Sequence, residues 1–273
     1  MFLDTLLRSG WGEGFFPVRP PYVPGSGVVG RSGGRRVVAD TKQVVDGAEV
    51  PVGGYASQAV VPSSELIEVP PELTDQQAVA LLHDGPTLQS LLSYVSGRRV
   101  LVAAAAGGAG VLLVQSLAAR GLEVVAAARG SAKTVLLGSL GASQVVDYGS
   151  PSWTSEVAPV DVVFDGAGGA LGRAAFSLVA DGGRFVSYGT AGGEFAAPDP
   201  AVAARRGISV VGLTDMPRPD RAQRRAWVEQ TLAEAAAGRY APVIGQTFPL
   251  SRAADAHAAI AARETVGKTL LVP

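Results

Sequence analysis

Val100-Leu101-Val102-Ala103-Ala104-Ala105-Ala106-Gly107-Gly108-Ala109-Gly110-Val111-Leu112-Leu113-Val114-Gln115-Ser116-Leu117-Ala118-Ala119-Arg120-Gly121 is the stretch whose reading decides the fold. Val100 to Ala103 is a short apolar run, as a parallel strand covered on both faces requires. The glycines that follow let the backbone turn tightly and come close to a ligand. Val111, Val114, Leu117 and Ala118 then recur on one side of a helix, and Gly121 can end it in the left-handed conformation. A second apolar run, Glu123 to Ala128, starts at once. Strand, glycine turn, helix and strand in succession form a unit whose backbone N–H groups and helix N-terminus receive a pyrophosphate. On this reading Ala106, Gly107, Gly108, Ala109, Gly110 and Val111 form the phosphate turn. A glycine cluster alone is weak in a chain with 35 glycines; its context gives it weight. The competing reading is the same fold with an empty crevice.

The composition sets the bounds. A chain of 273 residues makes one large or two ordinary domains. Hydrophobic residues are 47% of it, enough for a sizeable core, and 23 basic residues nearly balance 24 acidic ones. That balance gives no reason to expect nucleic acid or an anionic membrane as partner. No apolar run spans a bilayer, and Asp4 and Arg8 interrupt what would otherwise resemble a signal peptide, so the expectation is a cytoplasmic protein. There is no cysteine, which excludes disulfides and thiol catalysis. With only His83 and His257 as imidazoles, a tetrahedral zinc site would have to draw most of its ligands from carboxylates.

Outward from the central stretch, residues 98–213 read as repeated β-α units. Strands are expected at 99–103, 123–128, 144–147, 161–165, 184–188 and 208–212, with helices at 109–120, 131–140 and 170–180. This alternation predicts an α/β fold with a doubly wound parallel Rossmann sheet. Residues 1–75 are rich in Gly, Pro and Val. Short strand-like pieces at 28–29, 36–39 and 55–61 predict a smaller β domain. Thr74 can cap a helix over 75–83, which His83-Asp84-Gly85-Pro86 then breaks before another apolar helix from Thr87 to Val95. His83 reads as a helix-end residue beside Asp84, with a catalytic role as the lesser alternative. The tail predicts a helix over 220–237, a strand at 246–250, a helix from Ala253 capped by Ser251, and a strand at 268–272.

The second strand ends in Ala128-Arg129-Gly130-Ser131-Ala132-Lys133. A site selective for NAD puts an acid there for the ribose 2′-OH. Here Arg129 and Lys133 can meet a 2′-phosphate and Ser131 can donate to it, which favours NADP(H). The alternative is a solvated surface, although cations at a helix N-terminus oppose its dipole.

The spacing Ala104-x-x-Gly107-Gly108-x-Gly110 resembles the medium-chain dehydrogenase/reductase superfamily, in its zinc-independent quinone oxidoreductase and enoyl reductase branch. Further stretches resemble it in the family's order: Asp4-Thr5-Leu6-Leu7-Arg8-Ser9-Gly10, Pro24-Gly25-Ser26-Gly27-Val28-Val29-Gly30, Gly53-Gly54-Tyr55-Ala56, Val145-Val146-Asp147-Tyr148 and Gly267-Lys268-Thr269-Leu270-Leu271. The resemblance implies a discontinuous GroES-like substrate domain, 1–84 and 214–273, and a Rossmann domain, 85–213. It also implies a homodimer, a place for Tyr148 near the adenosine end, and places for Gly189, Thr190 and Thr87 near the nicotinamide. Thr87 reads equally as an N-cap. The family has several strands and an Asn-Pro-x-Asp motif before this point. Here Asp4 matches the acid while Met1 stands where the Asn would be, so the GroES-like domain is expected to be shortened at its N-terminus, with unpaired strand edges.

Reduction of a quinone or an enone also needs a group that stabilises the developing enolate, and a proton donor. Tyr55 and Tyr22 are the candidates, with Tyr188 a third and water a substitute. Each tyrosine reads otherwise as a packed aromatic with its hydroxyl at the surface. The expected activity is NADPH-dependent reduction of a small quinone or an α,β-unsaturated carbonyl without zinc. The alternatives are a non-redox biosynthetic enzyme on the same fold, for cyclisation or elimination, and a nucleotide-binding protein without turnover.

Overall fold

The computed structural model describes residues 2–11 and 16–273; Met1, matched above to the family's Asn, lies outside them. In chain order the first elements are α1 (Phe2–Arg8), β1 (Gly27–Ser32), β2 (Arg35–Asp40), β3 (Gln43–Val45), β4 (Ala48–Val50), β5 (Ile67–Glu68) and α2 (Asp75–Leu92). Next come β6 (Arg99–Ala103), α3 (Gly108–Ala119), β7 (Glu123–Ala128), α4 (Ser131–Ser139), β8 (Gln144–Asp147), β9 (Val160–Asp165), α5 (Gly169–Ser177) and β10 (Val179–Ser187). The rest are α6 (Pro200–Arg205), β11 (Ser209–Val211), α7 (Arg221–Ala236), β12 (Ile244–Pro249), α8 (Ala253–Ala261) and β13 (Lys268–Val272). The chain divides into two compact units, one of Met1–Pro86 with Arg225–Pro273, the other of Thr87–Arg224.

The second unit is a six-stranded sheet in the order β11-β10-β9-β6-β7-β8, every pairing parallel. From β6 the order runs one way through β7 and the other way through β9, so the switch point of a doubly wound sheet lies between β6 and β9. Val100, Leu101, Val102, Val124, Val125 and Val163 have no exposed surface. That explains why these strands read as unbroken apolar runs rather than alternating ones. On α3, Val111, Leu112, Leu113, Val114 and Leu117 are likewise wholly buried, so the helix is covered on more than the one side its spacing predicts.

The first unit is built from small sheets: antiparallel β1-β2-β5, the hairpin β3-β4, and the parallel pair β12-β13. The hairpin turn is Asp46-Gly47, both at positive φ (51° and 80°), as a two-residue turn matched to strand twist requires. Val38, Val50, Val52 and Leu82 are buried in this unit, and α1 packs on α8.

Several expectations need correction. His83-Asp84-Gly85-Pro86 does not break the helix: α2 runs unbroken over 18 residues with Pro86 inside. Proline removes one backbone donor there, while Leu81, Leu82, Leu88 and Leu91 on either side are buried to within 1% and hold the helix in place. Thr87 is therefore a mid-helix residue, not an N-cap. Thr74 does cap α2, accepting from the Gln77 N–H at 3.2 Å while Gln77 Oε1 accepts from the Thr74 N–H at 2.9 Å, a reciprocal capping box. Ser251 does not cap α8; it lies in a 3₁₀ turn, Leu250–Arg252, and Arg252 occupies the cap position without a side-chain bond. Residues 55–61 form no strand: their backbone takes part in none of the sheets. The helix expected to 180 ends at Ser177, and β10 starts at Val179, with a register shift before Arg184 that the Gly182-Gly183 pair permits. The sequence reading missed α6, although Asp199-Pro200 announces it: the Asp199 carboxylate accepts from the Ala201 N–H at 2.8 Å.

Candidate functional site: a crevice at the sheet switch point

In a doubly wound sheet the ligand crevice lies beyond the carboxyl ends of the strands at the switch point. Four turns of the second unit lie at those ends. After β6, Ala104 takes φ +58°, a left-handed conformation that costs a residue with a Cβ about 1 kcal/mol or more. The strained residue makes a compact turn: Ala105 N–H reaches the Ala127 carbonyl at 3.1 Å and Gly107 N–H reaches the Ala104 carbonyl at 3.0 Å. Gly110 is packed so tightly that a Cβ there would lie 2.5 Å from the Ala105 carbonyl oxygen. Gly107 is the N-cap of α3 and offers no side-chain cap. The N–H groups of Gly108, Ala109 and Gly110 have no hydrogen-bond partner among the described residues. They are three of the four donors that a helix start leaves unsatisfied.

The neighbouring turn after β9 differs in one respect. Asp165, fully buried, accepts from the N–H groups of Ala167 (3.0 Å) and Gly168 (2.9 Å) and from the Ser187 hydroxyl (3.3 Å). An internal carboxylate thus fills the anion position at the start of α5. Burial pushes the Asp165 pKa up, against the lowering effect of these three donors. The start of α3 carries no such internal anion, and this singles it out as the place for a ligand phosphate.

After β7, Arg129 and Ser131 are exposed and Lys133 is half-buried. Gly130, at φ +90°, is the N-cap of α4, again without a side-chain cap. Asp147, at the end of β8, ties this corner together: its carboxylate accepts from Gly130 N–H at 3.1 Å and from Gly149 N–H at 2.7 Å. Sequence reasoning overlooked this role, although an acid ending one strand beside a Gly-containing turn of the next is the pattern to look for. Tyr148 N–H bonds the Ala128 carbonyl at 3.1 Å, and its ring meets Trp153 edge-on. Gly189 and Thr190 follow β10; Gly189 lies against the Gly166 backbone, with no room for a Cβ. Tyr188 leans back over Gly166. The expected cofactor residues therefore lie on adjacent strand ends of one sheet.

Of the expected proton donors, Tyr188 stands at this crevice and the two leading candidates belong to the other unit. Tyr22 and Tyr55 belong to the first unit, and Thr87 is the first residue of the second. The Tyr55 hydroxyl does not face solvent: it is 2.9 Å from His257 Nε2 and 3.4 Å from Asp4 Oδ2. Burial, then the Asp4 carboxylate, raise its pKa, while burial, then Arg8, lower that of His257. At neutral pH the cluster is a protonated phenol against a neutral imidazole. His257 is only 3% exposed and Asp4 likewise; the sequence reading counted His257 as an imidazole without finding its partner. The Tyr22 hydroxyl is buried and has no hydrogen-bond partner among the described residues. His83 sits 3.2 Å from the Ser26 hydroxyl and 3.4 Å from Asp40 Oδ1, a helix residue held by side chains. Among the described residues no group of three or more His, Asp or Glu is arranged to hold a metal ion, and no helix is long and apolar enough to cross a membrane.

Comparison with known proteins agrees with this architecture. Residues 140–271 match the family model described as zinc-binding dehydrogenase. A relative from Schizosaccharomyces pombe, named a probable quinone oxidoreductase, is 31% identical over 292 residues, covering 99% of this chain and 85% of its own. A quinone oxidoreductase from Pseudomonas aeruginosa is 28% identical over 291 residues, covering 100% of this chain and 87% of its own. The solved quinone oxidoreductase of Thermus thermophilus, described with its NADPH complex, superposes with a TM-score of 0.76 at 31% identity, over 98% of this chain and 86% of its own.

Proposed function

Because the chain belongs to the quinone oxidoreductase branch of the medium-chain dehydrogenase/reductase superfamily, we propose that it is an NADP(H)-dependent oxidoreductase. Its substrate class is a quinone or the C=C bond of an α,β-unsaturated carbonyl, reduced without zinc. The observation that carries the reading is the α3 N-terminus: three partnerless N–H groups on a turn strained at Ala104, at the switch point of a parallel sheet.

The residues fit the cofactor. Gly108, Ala109 and Gly110 would receive the pyrophosphate, with Gly110 setting the close approach. Arg129, Ser131 and Lys133 would hold a 2′-phosphate beside the uncapped start of α4. An anion there removes the conflict between two cations and the helix dipole. Tyr148, Gly189 and Thr190 would border the same crevice. NADPH, when bound, supplies the hydride; the protein's part is placement, exclusion of water and proton delivery. For proton delivery Tyr22 stands ahead of Tyr55, because the Tyr55 hydroxyl is already held by His257 and Asp4. Thr87 is kept as a residue that borders the nicotinamide.

Zinc does not fit. The chain has no cysteine, and both imidazoles have side-chain partners, His83 with Ser26 and Asp40 and His257 with Tyr55. The test is NADPH oxidation followed at its nicotinamide absorbance, with 1,4-benzoquinone and with an open-chain enone, each with and without EDTA. Turnover that EDTA leaves unchanged is the expected result. A folded, NADPH-saturated protein that consumes no NADPH with either acceptor would overturn the redox reading and return the non-redox alternative to first place.

A further inference from the structure

The turns that follow β9 and β10 border the crevice on the side away from β7, and they spend their backbone donors internally. After β9, the Gly166 N–H bonds the Ala103 carbonyl, and those of Ala167 and Gly168 bond the Asp165 carboxylate. After β10, the Tyr188 and Gly189 N–H groups both bond the Asp165 carbonyl. Those of Ala191 and Gly192 bond the Gly166 and Ala167 carbonyls, and that of Gly193 bonds the Thr190 carbonyl. The Ser187 hydroxyl is taken as well, by the Asp165 carboxylate. The two sides of the crevice therefore recognise a ligand differently. At the start of α3 backbone N–H groups are open, whereas these turns offer chiefly side-chain hydroxyls. Residues 166–168 carry none, and 188–193 carry those of Tyr188 and Thr190.

Tyr188 is the one that reaches the switch point. It follows the last residue of β10, and its half-buried ring lies over the turn after β9. A Cβ on Gly166 would stand 2.7 Å from the phenol oxygen, 2.9 Å from Cζ, and 3.1 Å from the carbonyl oxygen of Ala103, the last residue of β6. The phenol oxygen and the end of β6 thus meet around one point, between the two strands where the sheet reverses its order. Gly166 is not at positive φ, so no turn conformation calls for glycine there. Room for the phenol beside the Ala103 carbonyl is what calls for it.

We propose that the Tyr188 hydroxyl binds the ribose of the cofactor's nicotinamide half and so fixes that half at the switch point. The inference rests on the NADP(H) reading above. That reading gives the pyrophosphate to the start of α3, after β6, and the 2′-phosphate to the Arg129 corner, after β7. The adenosine half then takes the β7 side, and the strand order β10-β9-β6-β7 leaves the other side to the nicotinamide half. Asp165 already fills the anion position at the start of α5, so this side suits uncharged groups and no second phosphate. The first uncharged groups beyond the pyrophosphate are the ribose hydroxyls. A phenol donates one bond and accepts others, which matches a diol in either sense. Tyr188 thereby becomes a cofactor-binding residue rather than a proton donor.

The test compares Tyr188→Phe with the wild-type chain by calorimetric titration of adenosine 2′,5′-bisphosphate, 2′-phospho-ADP-ribose and NADPH. Phenylalanine keeps the ring over Gly166 and removes only the hydroxyl; thermal unfolding checks the fold. The first ligand ends before the second ribose, the second ligand adds it, and NADPH adds the nicotinamide. Tyr188→Phe should bind the first as the wild type does, and should bind the other two more weakly by the same factor, about three- to tenfold. Wild-type affinity for all three overturns the proposal, whatever happens to turnover. So does a loss confined to NADPH, which would put the hydroxyl on the nicotinamide. A loss for all three also overturns it, since the hydroxyl would then only prop the crevice. Each of these leaves the NADP(H) reading standing, because the wild type binds. A folded wild-type chain that binds none of the three overturns that reading and the inference with it.

Discussion

Gly110→Ala tests the turn on which the site depends. A Cβ at Gly110 would lie 2.5 Å from the Ala105 carbonyl oxygen and 2.8 Å from both the Ala105 carbonyl carbon and Cα. Optimal carbon contacts are about 3.5–4.0 Å, so the start of α3 must move away from the turn by roughly 0.5–1 Å. The obstructing atoms are backbone, and the helix behind them is locked by Val111, Leu112, Leu113, Val114 and Leu117, all fully buried. Overpacking of this kind costs about 1–3 kcal/mol. The roughly 0.5–1 kcal/mol that alanine brings to a helix offsets only part of it. A net loss of about 1–2 kcal/mol lowers Tm by roughly 2–8 °C. The shift also carries the Gly108, Ala109 and Gly110 N–H groups off position, and NADPH affinity should fall at least tenfold, about 1.4 kcal/mol. Gly138→Ala is the control: it is the same substitution in α4 with nothing within 4 Å, and it should raise stability by about 0.4–1 kcal/mol and leave NADPH affinity alone. Thermal unfolding and a fluorescence titration read both effects. A Gly110→Ala protein with wild-type Tm and wild-type NADPH affinity would refute the reasoning.

Other expectations follow from the buried polar groups. Burial raises the Asp165 pKa, so the stability linked to its protonated form is present below the unfolded pKa and is lost as pH rises through the folded one. Asp165→Asn keeps an oxygen for the Ala167 and Gly168 N–H groups and cannot ionise. Urea unfolding between pH 4 and 8 should therefore show the variant gaining on wild type as pH rises; a constant difference contradicts the assignment. Tyr55→Phe leaves His257 and Asp4 buried without their shared partner, and should cost about 1–3 kcal/mol in chemical unfolding. An unchanged midpoint would show that the hydroxyl contributes nothing to stability.

The sheet was legible because its strands are buried on both faces: Val100–Ala103, Glu123–Ala128 and Val160–Asp165 carry their own apolar signature. The turns were legible where glycine or a cap marks them, as at Gly107, Gly121 and Thr74. Pro86 misled, since local chemistry predicts a break there and the packing of Leu82 and Leu88 overrides it. Residues 55–61 misled in the opposite sense: a run of strand-like residues is a weak signal of a strand until it pairs. In the site, residues following single strands were found by position. Asp165, Asp147 and His257 were not: the bonds from Gly130 to Asp147 and from Tyr55 to His257 span 17 and 202 positions, which no local pattern marks, while the short-range bonds of Asp165 and Asp147 to the following N–H groups are a local turn pattern that was passed over.

The central claim is that the β6–α3 turn and the Arg129 corner bind NADPH. The most direct measurement is a titration of the purified chain with NADPH, following nucleotide fluorescence, with NADH and Arg129→Glu as comparisons. Saturable binding of NADPH, weaker by about tenfold or more for NADH and for NADPH on Arg129→Glu, is the predicted result. A folded protein that does not bind NADPH, or binds NADPH and NADH alike with Arg129→Glu unchanged, would contradict it.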